Sequence, residues 1–192
     1  MEKNIKQYKS ECIKIVLFGP ESTGKTTLGL DLAKYYNTSL VKEFARNYLQ
    51  KKWDDKKMKC NKNDLIQIAI EQLKSENKLS KIANKILFCD TNILVTKIWS
   101  ETHFDGYCDP FLNKIINNTN YDLYILTDID VPWEKDDLRD RPNDRKSMFN
   151  YYRDELVKNN LKFFLVSGSK EARLRKSILK IDKFISLNKK YS

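Results

Sequence analysis

The chain has 192 residues, with 36 Lys and Arg against 26 Asp and Glu and a formal net charge of +10. That length supports one domain with a real hydrophobic core, and 41% hydrophobic with 32% charged residues excludes wholesale disorder. The first thirteen residues carry no apolar run, no stretch reaches the roughly 18 apolar residues of a membrane span, and Cys12, Cys60, Cys89 and Cys108 form no Cys-x-x-Cys beside the single His103; no leader, membrane contact, zinc site or disulfide framework is expected, and a reducing cytoplasm is.

Along the chain, Ile13–Phe18 is a nearly continuous apolar run closed by Gly19 and Pro20, as a buried parallel strand requires. Leu28, Leu32 and Tyr35 or Tyr36 recur at helical spacing over 25–36. A second short strand is expected over 39–43. Residues 64–87 read as mostly helical, with Leu65, Ile68, Ala69 and Leu73 on one face, and 86–89 as another buried strand. Helices over 93–101 and 110–117, a strand over 123–127, a helix over 144–159, a strand over 161–167 and a closing helix over 170–187 complete the pattern. Strands alternating with helices imply an α/β fold, a parallel sheet covered on both faces, in a single domain over 1–192. Segment 128–145 stands apart: polar, with Pro132 and Pro142 and three of the seven arginines, it is a candidate mobile lid.

The basic excess is peripheral. Residues 162–192 hold nine basic and two acidic side chains, 51–62 six and two, but 121–160 seven and ten. Basic charge alone is a sequence-blind signal, so a solvated lysine face is expected and a nucleic-acid partner is not.

Gly19-Pro20-Glu21-Ser22-Thr23-Gly24-Lys25-Thr26 is a complete Gly-x4-Gly-Lys-Thr between a buried strand and an amphipathic helix. Successive backbone N–H groups must curl around a phosphate, and glycine permits the angles and the close approach. A helix starting near Lys25 turns its positive end toward the anion. Lys25 reaches the β- and γ-phosphates of ATP, and the Thr26 hydroxyl ligates Mg²⁺. Residues Gly19, Glu21, Ser22, Thr23, Gly24, Lys25, Thr26 and Thr27 are the expected nucleotide contacts, with Gly168 in the turn after the last strand near adenine.

GTPases, motor ATPases, small-molecule kinases and binding modules all use such a loop. Asn61-Lys62-Asn63-Asp64 matches a guanine-recognition pattern, but it follows a polar lysine stretch instead of a buried strand. Asn61 as a helix N-cap, with Asp64 at the third position, explains these residues more simply. Asp90 ends a buried strand, where a Mg²⁺-side carboxylate belongs, and is followed by Thr91 instead of a second acid to polarise water. That favours a kinase, whose acceptor is a substrate hydroxyl.

Three polar clusters follow expected strands and so gather at the carboxyl edge of the sheet. They are Glu43, Phe44, Arg46 and Tyr48; Asp90, Thr91, Asn92 and Thr96; and Asp136, Arg139, Arg141 and Arg145 in the lid. An acceptor hydroxyl needs a carboxylate within reach, Asp90 by preference or Glu43. The migrating phosphoryl group needs guanidinium donors, and Arg139 and Arg145 are the first choices. The ordinary alternatives are a Glu43–Arg46 helix pair, lid arginines paired with the interleaved aspartates, and Trp99 and Trp133 as packing residues.

Taken in order, the phosphate loop with Glu21, Glu-Phe-Ala-Arg-x-Tyr at Glu43, Phe-Cys-Asp-Thr at Phe88 and Asp-x-x-x-Pro-Trp-x-x-Asp-x-x-Arg from Asp128 resemble the ribosylnicotinamide kinase domain of NadR-type proteins, over residues 13–187. The resemblance implies ATP-dependent phosphorylation of the ribose 5′-hydroxyl of nicotinamide riboside. It also implies a three-layer P-loop fold with a five-stranded sheet in the order 2-3-1-4-5. The further adenylyltransferase and DNA-binding domains of such proteins are not expected in this length. One departure concerns the aromatic residue that the family carries just before the glutamate matching Glu43; here Ser39, Leu40, Val41 and Lys42 stand there. Stacking on the cationic ring then passes to Phe44, Tyr48 or Trp99. The rivals are a kinase of another nucleoside or vitamin and a non-catalytic ATP-binding regulatory module. Homo-oligomerisation is left open.

Overall fold

The computed structural model describes residues 5–188; the first and last four residues of the expected 1–192 domain lie outside the described residues. The elements run β1 (Ile13–Phe18), α1 (Lys25–Tyr35), β2 (Ser39–Val41), α2 (Phe44–Lys56), α3 (Lys62–Leu79), β3 (Ile86–Asp90), α4 (Ile93–His103), α5 (Pro110–Ile116), β4 (Leu123–Thr127), α6 (Arg145–Lys158), β5 (Phe163–Val166) and α7 (Lys170–Leu187). The sheet has five parallel strands in the order β2-β3-β1-β4-β5, as the resemblance implied.

All six residues of β1 are buried, which explains a run with no polar alternation. Alternate side chains feed two cores. Val16 and Phe18, with Cys89, Tyr124 and Leu126, meet Leu94 and Ile98 of α4 and Tyr152 and Leu156 of α6. Ile15 and Leu17, with Phe88 and Ile125, meet Leu28 and Leu32 of α1 and Ile181 of α7. A third cluster joins Leu65, Ala69 and Leu73 of α3 to Ile93, Leu112 and Ile115. It braces α3 and α4 beside the sheet, where they can wall a cavity. Phe18 is fully enclosed, edge-on to Tyr124 and Tyr152 at 5.4 and 4.9 Å between centroids.

Four stretches differ from the sequence expectation. The second strand stops at Val41, because Glu43 already serves as N-cap of α2. Residues 44–56, to which the sequence reading assigned no element, form that helix; none of its residues is fully buried, so it carries no apolar stripe for periodicity to detect. The helix expected to reach residue 87 ends at Leu79, and residues 80–85 turn the chain into β3, with Lys85 at φ 60°. The last strand spans Phe163–Val166 instead of 161–167. All four cysteines are free thiols. Among the described residues no helix is long and apolar enough to cross a membrane.

Candidate active site

The loop between β1 and α1 is held from below by the end of β4. Gly19 has φ 138°, and a Cβ there would stand 2.7 Å from Thr127 Oγ1, so only glycine fits. Thr23 Oγ1 donates to Pro20 O at 2.9 Å and lies 2.7 Å from Thr127 Oγ1. Gly24, at φ 78°, is the N-cap of α1, so the helix opens its unpaired amides toward the loop. Lys25 Nζ donates to the carbonyls of Gly19 and Pro20 at 2.9 and 2.6 Å, folded across the loop.

Register brings the next residues in. Leu17 pairs with Asp90, and Thr91 N–H donates to Leu17 O at 3.2 Å, so β3 ends beside the start of α1. Thr26 Oγ1 donates to Asp90 Oδ2 at 2.5 Å, and Asp90 Oδ1 is buried without a partner. Burial pushes the Asp90 carboxyl up, against the Thr26 bond and the Lys25 charge. Burial likewise pushes Glu43 up, against Lys25, and pushes Glu21 up to about 7, with Asp140 adding to it. It pulls Lys25 down, against Glu43, Asp90 and Glu21. One ammonium thus faces three carboxyl groups that are each reluctant to ionise. Mg²⁺ takes hard oxygen ligands, one or two from protein, with phosphates and water completing the set. The Thr26 hydroxyl and the orphaned Asp90 oxygen fit that habit. No group of three or more His, Cys, Asp or Glu that could hold a metal occurs among the described residues.

Segment 128–145 lies over the loop. Ser22 Oγ donates to Pro132 O at 3.3 Å and accepts from Glu134 N–H at 2.9 Å. Arg145 Nη2 donates to Ser22 O at 3.1 Å, under the Trp133 ring 5.8 Å away, and its Nε is buried without a partner. Arg139 donates to Glu134 O at 2.6 Å and pairs with Asp136 at 3.2 Å. Asp136 also binds Arg46 of α2, tying the segment to that helix. Arg141 donates to Thr102 O of α4.

Between the loop, α2, α3, α4 and this segment opens a cavity of about 380 Å³. Glu21, Lys25, Glu43, Arg46, Arg139 and Asp140 line its polar end, and Leu49, Trp53, Leu65, Ile68, Trp99 and Phe104 form apolar walls. Trp99 is stiffened by His103, whose ring stacks on it at 4.0 Å and 12°. The other expected contacts lie elsewhere. Phe44 and Tyr48 stack on one another at 5.8 Å and do not line the cavity; the Tyr48 hydroxyl donates to Asp64 at 3.0 Å. Asn92 is buried and donates to Tyr124 Oη at 3.1 Å. Trp133 packs within the 128–145 segment, Asp136 joins that segment to Arg46 of α2, and Asp90 stands behind Thr26 outside the lining. Asn61 and Asp64 form a reciprocal capping box on α3, which accounts for the guanine-like pattern.

A family model described as an AAA domain matches residues 14–173. The chain belongs to this AAA domain family. It is similar to the trifunctional NAD biosynthesis/regulator protein NadR of Salmonella typhimurium, 31% identical over 151 residues, which cover 78% of this chain and 37% of that protein. The chain therefore spans little more than a third of the length of the curated relatives it matches. A crystal structure of NadR protein in complex with NR aligns with a TM-score of 0.75 at 20% identity, covering 92% of this chain and 52% of that one. Deoxyadenosine kinase from M. mycoides, with products bound, aligns at 0.62 and 18%, covering 89% and 100%. The two structures share the fold.

In this AAA domain several buried or cavity-lining residues escaped the reading of the sequence. Trp53, Met58 and Cys60 sit in or just after α2, among lysines that hide any apolar pattern. Thr91, which the sequence grouped with Asp90, lines the cavity, but its φ of 70°, uncommon for a β-branched residue, was not foreseen. Arg173 was one basic residue among nine in 162–192, yet it is 3% exposed.

Proposed function

We propose that the chain is an ATP-dependent kinase that phosphorylates the ribose 5′-hydroxyl of nicotinamide riboside, giving the mononucleotide, in the reducing cytoplasm. The observation that carries this reading is the cavity. It runs from the phosphate-loop lysine, past Glu43, to a wall bearing Trp99 and Trp53. That shape and polarity suit a hydroxyl-bearing sugar at one end and a flat cationic ring at the other. The similarity to NadR and to a structure with NR bound supports the choice of riboside.

Phosphoryl transfer is mostly positioning and charge stabilisation. The loop amides and Lys25 would hold the phosphates, Lys25 exchanging the Gly19 and Pro20 carbonyls for them. Thr26 and Asp90 would hold Mg²⁺, which neutralises charge on the β- and γ-phosphates when bound. Sequence favoured Asp90 as the base. The lining favours Glu43, since Asp90 is engaged by Thr26 while Glu43 faces the cavity. Burial raises the Glu43 carboxyl above its ordinary value, which brings a base nearer to its working pH. Arg139 lines the same end and would meet the migrating phosphoryl group.

The test is ATP consumption over a panel of nucleosides and vitamins. Turnover should be highest with nicotinamide riboside. Turnover of a deoxynucleoside with none of the riboside would overturn the substrate assignment and leave a nucleoside kinase.

A further inference from the structure

A buried guanidinium is costly unless its five N–H donors are met. Arg173, in the first turn of α7, places four of them on four separate acceptors. Nε donates to Gly168 O at 3.0 Å, Nη1 to Thr23 O at 2.7 Å and Nη2 to Asp128 O at 3.1 Å, while Nη2 also pairs with the Asp130 carboxylate. The other oxygen of Asp130 accepts the Gly168 N–H. The three carbonyls belong to three separate loops, those leaving β1, β4 and β5 at the carboxyl edge of the sheet.

Peptide geometry gives these contacts a consequence beyond packing. Across a planar trans peptide the C=O and the following N–H point in opposite directions. Pinning Thr23 O to Arg173 therefore turns the Gly24 N–H away from Arg173, toward the hollow of the phosphate loop. Pinning Gly168 O does the same for Ser169 N–H in the turn after β5, where the sequence reading expects adenine. Gly24 and Gly168 both have positive φ, 78° and 90°, so neither backbone is locked by a side chain of its own.

We propose that Arg173 is a positioning residue for the nucleotide: with Asp130 it fixes the phosphate loop against the turn after β5, and so sets the spacing between the phosphate and adenine halves of the ATP site. The proposal rests on the reading of the chain as an ATP-dependent kinase.

The experiment compares Arg173→Lys and Asp130→Asn with wild type, measuring KM for ATP and for nicotinamide riboside separately, together with the melting temperature. Lysine keeps the charge but cannot reach three carbonyls at once. Asp130 is partly exposed, its side chain at 35%, so its variant keeps the fold if Arg173→Lys does not. The expected result is an ATP KM raised tenfold or more in Arg173→Lys, and severalfold in Asp130→Asn, with the riboside KM within about twofold of wild type. A role confined to folding lowers the melting temperature and the active fraction and moves neither KM. An unchanged ATP KM in the folded variants, or an equal rise in both KM values, overturns the proposal. If wild type binds ATP by calorimetry yet ignores the riboside, the substrate reading fails alone, and the same variants are judged on their Kd for ATP.

Discussion

The Thr26 hydroxyl donates a hydrogen bond to Asp90 across 2.5 Å, joining the first turn of α1 to the last residue of β3. The bond spans 64 positions of sequence and leaves the second Asp90 oxygen buried and unpaired. A buried carboxyl pushed upward costs the fold something to keep ionised, so Asp90→Asn should fold at least as well as wild type. It should nevertheless lose about a hundredfold or more in turnover at saturating Mg²⁺ and ATP. Near-normal turnover in steady-state assays would remove Asp90 from the metal site.

Glu43→Gln separates the two carboxylates. A general base contributes about 10²–10⁴ in rate. The base acts ionised, and burial raises the Glu43 carboxyl, so wild-type kcat should fall as pH drops through a value above the ordinary carboxylate range. The variant should be slower by about that factor and should lack this acid limb. A persisting limb in a pH profile would return the role to Asp90.

Trp99→Ala tests the cavity wall. Stacking of a flat ring on an aromatic side chain is worth about 1–3 kcal/mol. The riboside KM should rise about tenfold while the ATP KM stays near wild type. Equal effects on both substrates would make Trp99 a packing residue only.

Glu76 offers a stability test away from the chemistry. It is fully enclosed in α3, accepts from Tyr121 Oη at 2.8 Å, and burial pushes its carboxyl up to about 7, against the Tyr121 bond. A folded-state value above the unfolded one of 4.5 means stability that is complete below pH 4.5 and is lost as pH rises through 7. Glu76→Gln keeps the acceptor and drops the titration. In urea unfolding the variant should therefore gain on wild type between pH 5 and pH 8, by about 3 kcal/mol at most. Parallel pH dependence in the two proteins would contradict this.

The sequence was most legible where one physical requirement dominates. An apolar run followed by glycines spaced for a phosphate marks β1 and its loop, and Asn61 three residues before Asp64 marks the start of α3. The α2 helix was not legible, because its cavity-facing side is a mixture of Arg46, Leu49 and Trp53 and its second half is mostly Lys and Asp. Phe44 and Tyr48 were candidates for stacking only through the family resemblance; their stacking on one another, outside the cavity lining, had no signal in the sequence. Arg173 had no local signal, since its partners lie at residues 23, 128, 130 and 168.

Asp64 does more than cap a helix. Burial tends to raise its carboxyl, but bonds from Lys52 at 2.5 Å, from Asn61 N–H and from Tyr48 hold it below the usual carboxylate range. Two of those donors stand on α2 and the third opens α3, so a single carboxylate rivets both helices that wall the cavity. Loss of that one carboxylate would therefore loosen both walls at once, whatever the length of the 57–60 connection between them.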